Sequence, residues 1–232
     1  MNPDLGRLLA GVGAVLLDFD GPVCSIFAGY PAPQVAAELV DVLRRHGVDV
    51  PQELASEPDP LEVLRCTGAA GDHGITRAVE DALCAAERRA VETAEPTPYG
   101  REVIVASRQA GMQVAAVSNN SADAVAAYLA AHRIDGYVSP VVGRPYADPD
   151  RMKPNPEPIL HAVRALGQSP NRCVLVGDSL SDIEGARAAG VQVVGYANRP
   201  AKVEAFRSAG ADFVITGMGE IARVLIDLTA RD

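Results

Sequence analysis

Asp18 and Asp20 stand two apart in the run Asp18-Phe19-Asp20-Gly21. On an extended segment residues two apart point the same way, so both carboxylates can face one site. Two like charges held together are costly unless a cation or a proton relieves them. A solvated turn would hold the same pair without any chemistry. Gly21 favours a site, because glycine lets backbone come close to a ligand. A second segment, Ser118-Asn119-Asn120, ends an apolar run and precedes a helical pattern. Its hydroxyl suits an N-cap, and it suits equally a donor to a phosphate oxygen beside a helix N-terminus. A third segment holds Lys153 within Arg151-Met152-Lys153-Pro154-Asn155-Pro156-Glu157-Pro158. Of the 21 lysines and arginines only Lys153 and Lys202 are lysines. A chain that prefers arginine has kept a compact point charge here, although a surface lysine is the plainer reading. The fourth segment is Gly177-Asp178-Ser179-Leu180-Ser181-Asp182. Asp178 reads either as an N-cap or, with Asp182 four residues on, as part of an oxygen site for a hard cation such as Mg²⁺.

Each segment follows or opens an element able to position it. The apolar runs Ala14-Val15-Leu16-Leu17, Val114-Ala115-Ala116-Val117, Cys173-Val174-Leu175-Val176 and Val191-Gln192-Val193-Val194 read as strands buried on both faces of a parallel sheet. Phe213-Val214-Ile215 reads as a fifth strand. Amphipathic patterns over 121–132, 156–166, 180–189 and from about Gly219 supply the intervening helices. The alternation predicts a doubly wound, Rossmann-like α/β sheet. Between Pro22 and Pro98 only helical patterns occur, over 34–46, 61–68 and 75–93, and Glu95-Pro96-Thr97-Pro98 reads as a stiff linker. The expected division is a core of residues 1–21 and 97–232 with a helical cap of 22–96 over the carboxyl end of the sheet. No internal repeat or low-complexity tract is evident.

Hydrophobic residues make up 48% and charged residues 22% of the chain, ordinary for a folded globular protein. A formal net charge of −9 argues against a nucleic-acid partner. It leaves room for a small phosphorylated substrate, since a bound metal and a few placed cations create a local positive site. Cys24, Cys66, Cys84 and Cys173 are scattered and read as buried small hydrophobes in a reducing compartment. The apolar stretch 8–17 resembles a signal-peptide core but runs straight into Asp18. No stretch reaches the roughly 18 apolar residues a membrane span needs. The expectation is a soluble, cytoplasmic protein without a membrane partner, a monomer or a homodimer.

The order and form of the four segments resemble the haloacid dehalogenase superfamily. D-F-D-G is similar to its first motif, the hydroxyl after V-A-A-V to its second, K-P-x-P to its third and G-D-S-x-x-D to its fourth. The likeness covers nearly the whole chain. It includes a helical cap in the position called C1, as in its phosphoglycolate phosphatase and β-phosphoglucomutase members. Gly195-Tyr196-Ala197-Asn198-Arg199-Pro200 and Ala209-Gly210-Ala211-Asp212 are similar to the superfamily's tail.

That resemblance implies a Mg²⁺-dependent phosphatase acting on a small-molecule phosphomonoester. Asp18 would be the nucleophile, forming an aspartyl phosphate, and Asp20 the general acid and then base. Ser118, Asn119, Gly21 and Lys153 would hold the phosphate. Asp18, Asp20 through its carbonyl, and Asp178 would hold Mg²⁺, with Asp182 bound directly or standing behind. The second aspartate argues against a dehalogenase, whose halide leaving group needs no proton. Residues 22–98 contain no lysine, which argues against the Schiff-base chemistry of phosphonoacetaldehyde hydrolases. A phosphomutase or phosphotransferase of the β-phosphoglucomutase type is the alternative enzyme. A phospho-aspartate switch or a catalytically retired partner-binding protein is the alternative of another class. No G-x-G-x-x-G follows the first strand, which argues against a dinucleotide-binding module.

One departure is Pro22-Val23-Cys24, where the superfamily's phosphatases usually carry threonine, an apolar residue and an acid. Proline there stiffens the way into the cap. From the cap, Tyr30, Arg65, His73 and Arg77 are the candidate substrate contacts. Arg88 and Arg89, with Glu87 and Glu92, read as a solvated helix face.

Overall fold

The computed structural model describes residues 3–229. Helix α1 (Pro3–Ala10) leads into strand β1 (Ala14–Leu17), then strand β2 (Cys24–Ser25) and helices α2 (Ala32–Arg45), α3 (Gln52–Ala55), α4 (Pro60–Ala69) and α5 (His73–Val91). Strand β3 (Glu95–Pro96) is followed by α6 (Gly100–Gln109), β4 (Gln113–Val117), α7 (Ala122–Ala131), β5 (Val141–Val142) and α8 (Glu157–Ala165). The chain ends its described part with β6 (Cys173–Gly177), α9 (Leu180–Ala189), β7 (Gln192–Tyr196), α10 (Ala201–Ser208), β8 (Phe213–Ile215) and α11 (Gly219–Thr229).

Six strands form one parallel sheet in the order β5-β4-β1-β6-β7-β8. The first strand is central, and the chain winds outward from it in both directions, which is the doubly wound arrangement. Alternation sorts the side chains. Val15, Leu17, Val114, Ala116, Val174 and Val176 enter the core shared with α1, α6, α7 and α11. Ala14, Leu16, Ala115, Val117, Cys173 and Leu175 enter the opposite core under α8, α9 and α10. Every residue of β1 is buried, so these strands show apolar runs where a half-exposed strand would alternate.

Three strands escape the apolar-run reading. β5 adds a sixth strand at the sheet edge but is only two residues long, too short for any periodicity. β2 and β3 pair antiparallel, with Cys24 opposite Pro96 and Ser25 opposite Glu95, where only a linker is expected from sequence. Thr97 reinforces the pair, donating from N to the Val23 carbonyl and from Oγ1 to the Gly21 carbonyl. The two connections to the helical insertion are thus tied together as a ribbon.

Helices α2, α4 and α5 pack on one another around Val35, Leu39, Leu43, Val63, Leu64, Val79 and Leu83. Met152, from the loop before α8, plugs into this core. The apolar stretch 8–17 is divided between the end of α1 and β1. Among the described residues no helix is long and apolar enough to cross a membrane. Cys24 and Cys173 are buried as expected, Cys84 is half-buried, and Cys66 is exposed, contrary to the sequence reading.

Candidate active site

Register brings the four segments together. Leu17 lies opposite Ala116 on one side and Val176 on the other, so β1, β4 and β6 end level with one another. Asp18, Ser118 and Asp178 follow within two residues of those ends. Phe19 points the other way, into the core, with its ring edge-on to Tyr128 at 5.2 Å.

Lys153 is buried and reaches Asp18. Its Nζ lies 3.0 Å from Asp18 Oδ1 and 2.6 Å from Asp182 Oδ1, and it donates to the Val117 carbonyl at 2.7 Å. All three partners accept, so the ammonium is satisfied. Burial opposes its charge, but Asp18 and Asp182 outweigh burial and push it up to about 12. Asp18 Oδ1 also accepts from the Phe19 N–H at 2.8 Å. Burial, and then the charges of Asp182 and Asp178, push Asp18 up to about 8 in spite of Lys153. One buried cation does not balance three acids.

Asp182 is wholly buried, and both its oxygens accept hydrogen bonds. One oxygen takes Lys153, and the other accepts from the N–H of Ser179 at 3.1 Å and its hydroxyl at 2.6 Å. Ser179 caps α9, with its hydroxyl accepting from the Asp182 N–H, so Asp178 is released from capping. Asp178 lies against Gly21, whose φ is +105°. A Cβ on Gly21 would come 2.4 Å from the Asp178 carboxyl carbon. Glycine is needed there for both its backbone and its lack of a side chain.

Carboxylate oxygens of Asp18, Asp178 and Asp182 lie within 4.8 Å of one another. This all-oxygen donor set fits a hard divalent cation. Asp182 also takes Lys153 and Ser179, whereas Asp18 and Asp178 each keep one oxygen without a protein donor. The Asp20 carboxylate accepts from the Ile26 N–H at 2.9 Å. Burial, opposed by that bond and aided by the Asp178 charge, pushes Asp20 up to about 6. The two acids of the first segment therefore sit in different environments, the condition for giving one proton to one of them.

Ser118 is buried beside this group and is not a helix cap; Ser121 caps α7. The Ser118 hydroxyl bridges to the Asn120 side chain and N–H, both at 3.1 Å. The Asn119 side chain departs from the expected phosphate contact. Its amide is spent on the Lys153 backbone, donating to the carbonyl at 3.0 Å and accepting from the N–H at 2.9 Å. It holds the lysine loop in place. Asp18, Asp20, Ser118, Asn119, Lys153 and Asp178 all line one cavity of about 720 Å³.

A family model described as haloacid dehalogenase-like hydrolase matches residues 12–190, which span all four segments. The chain is a haloacid dehalogenase-like hydrolase. Over 98 residues, 42% of the chain, it is 35% identical to phosphoglycolate phosphatase of Escherichia coli strain K12. The match to phosphoglycolate phosphatase of Salmonella paratyphi A is 36% over the same length. The aligned part spans only 38% of the length of these relatives. Among solved structures, CbbY from Rhodobacter sphaeroides in complex with phosphate superposes with a TM-score of 0.63, at 20% identity, over 90% of this chain and 96% of that one. A subfamily IA hydrolase of the superfamily from Geobacter sulfurreducens gives 0.58 at 23% identity, over 93% and 97%. At these identities the likeness is one of fold.

In this haloacid dehalogenase-like hydrolase the insertion contributes other residues than those expected. Of its four candidates only Arg65 lines the cavity, where its Nη2 donates to the Lys153 carbonyl at 2.8 Å. Tyr30 is instead bonded by Arg89, whose guanidinium stacks over its ring at 4.7 Å and also pairs with Glu38 at 2.8 Å. His73 and Arg77 are exposed near the start of α5, outside the cavity lining. Helical spacing told which residues share a face of α5, but not which face meets the sheet.

Glu87 overturns the solvated-face reading. It is completely buried and, with Glu80, clasps the buried Arg144 that follows β5. Arg144 lies 2.7 Å from Glu80 and 2.8 Å from Glu87, and donates to the Asn119 carbonyl at 2.6 Å. Glu87 in turn accepts from the Asn120 side chain at 3.2 Å and the Ser121 N–H at 2.9 Å. Helix α5 is thereby wired to the Ser118 segment. The signal available in sequence was weak: Glu80 and Glu87 stand seven apart, hence on one face, among buried Val79, Leu83 and Ala86.

Proposed function

We propose that this chain is a Mg²⁺-dependent phosphatase that hydrolyses a small-molecule phosphomonoester through an aspartyl phosphate on Asp18. The observation that carries the reading is the pair of differently held acids: Asp18, fixed through one oxygen by Lys153 and the Phe19 N–H, and Asp20, held by Ile26 with a raised proton affinity. Phosphatase relatives and a fold shared with a phosphate complex support it.

Asp18 attacks phosphorus, and the bond from phosphorus to the ester oxygen breaks. Asp20 gives that oxygen its proton, so the product leaves as an alcohol. Water then attacks phosphorus, Asp20 takes back a proton, and Asp18 regains its carboxylate as phosphate departs. Lys153 and the Ser118 hydroxyl hold phosphoryl oxygens, and Asn119 keeps Lys153 in place. Asp18, Asp178 and the Asp20 carbonyl would hold Mg²⁺, which neutralises charge on the acids and the phosphoryl group. Residues 22–96 serve as a cap domain over the site, joined to the core by the β2–β3 ribbon.

The test is phosphate release from p-nitrophenyl phosphate with and without Mg²⁺. The expected result is Mg²⁺-dependent turnover that Asp18→Asn abolishes. Turnover surviving in Asp18→Asn, or none with the metal present, overturns the reading.

A further inference from the structure

The wall that the insertion turns toward the acids is apolar wherever it is unengaged. Phe27, Ala32, Pro33, Pro58, Pro60 and Leu61 supply it, from the entry to α2 and the start of α4. The polar side chains on the same wall are partly engaged. Asp59 caps α4 by accepting from the Leu61 N–H at 2.8 Å. Arg65 donates from Nη2 to the Lys153 carbonyl, while its Nε pairs with Glu62 at 3.5 Å and makes no hydrogen bond. Glu87 is taken by Arg144, Asn120 and Ser121. A sugar placed here would bury hydroxyls opposite carbon, which costs free energy for each unmade hydrogen bond. An anionic leaving group would face Asp59 and Glu62, whose charge Arg65 offsets only in part. Arg199, which also lines the cavity, is exposed and follows β7 in the core, outside the insertion.

Resting on the phosphatase reading, we infer that the substrate is a phosphomonoester whose leaving group is uncharged, apolar and of about the bulk of an aromatic ring. The phosphoryl group takes the polar floor of the cavity, and the ring lies along Leu61, Pro33 and Phe27. The volume suits this: a cavity of about 720 Å³ is far larger than a two-carbon ester requires.

The test compares esters of similar alcohol acidity, so that leaving-group chemistry does not decide the outcome. The wild-type enzyme with Mg²⁺ is given 2-phenylethyl phosphate, glycerol 3-phosphate, glucose 6-phosphate and phosphoglycolate. The expected kcat/KM for the phenylethyl ester is at least tenfold above each of the others. Leu61→Asn should narrow that gap at least fivefold, through KM rather than kcat, with its melting temperature recorded to show that it folds. Equal or better turnover of the sugar ester or phosphoglycolate overturns this inference and leaves the phosphatase reading standing. No turnover of any of the four, nor of p-nitrophenyl phosphate, overturns both.

Discussion

Lys202 donates its Nζ to Asp178, to Oδ2 at 2.8 Å and to the backbone carbonyl at 2.7 Å. Asn198 donates to the same Oδ2 at 2.9 Å. One oxygen of Asp178 is therefore anchored from the far side, which leaves the other for the cluster with Asp18. Both lysines of the chain end on acids of this cluster: Lys153 on Asp18 and Asp182, Lys202 on Asp178. A compact ammonium can touch a carboxylate and a carbonyl at once where a planar fork would not fit.

Lys202→Met should weaken Mg²⁺ binding by roughly tenfold, the usual effect of removing a group that orients a ligand. Isothermal titration of Mg²⁺ into wild-type and variant protein reads this directly. Unchanged or tighter binding would mean that repulsion between Lys202 and the metal outweighs orientation.

Arg144 is the only cation in contact with two fully buried glutamates among the described residues. Arg144→Met leaves both charges unpaired and should cost about 3–5 kcal/mol, measured by urea unfolding. Burial lowers the proton affinity of Arg144, but Glu87 and Glu80 raise it by more, so the guanidinium stays charged. Replacing Glu80 as well, with leucine, should recover part of the loss, because one unpaired acid is removed. If the single variant loses under 1 kcal/mol, water reaches the cluster.

The metal-free protein should lose stability as pH rises. Asp18 at about 8 and Asp20 at about 6 both hold protons more tightly when folded than the ordinary 3.8 of the unfolded chain. Unfolding between about pH 4 and 8 therefore releases protons from these groups, and stability falls with rising pH across that window. In EDTA, the melting temperature of Asp18→Asn should fall less between pH 5 and 8 than that of the wild type. Mg²⁺ should flatten the wild-type curve. A variant that tracks the wild type would mean that Lys153 already neutralises Asp18.

The strand ends were legible in sequence because the apolar run of a doubly buried strand is a local signal: three such runs, each closed by a polar turn, name Asp18, Ser118 and Asp178 without any long-range knowledge. The scarcity of lysine, with the prolines that follow, pointed to Lys153, although only the fold shows it buried between Asp18 and Asp182. The role of Asp182 depended on distance, since a residue on the first turn of α9 can point at a metal or at a lysine, and here both its oxygens are taken. The insertion was the least legible part. Helical periodicity finds the buried face of α5 but not what it is buried against, so Glu87 read as solvated and Tyr30, His73 and Arg77 as site residues. What decided these positions was how α5 docks on α7 and the Ser118 segment, a packing of two separately patterned surfaces whose ion pairs span more than 50 residues of chain. Sequence alone determined the chemistry available at the sheet's edge; the tertiary structure decided which charges are spent holding it in place and which surface is left for a substrate.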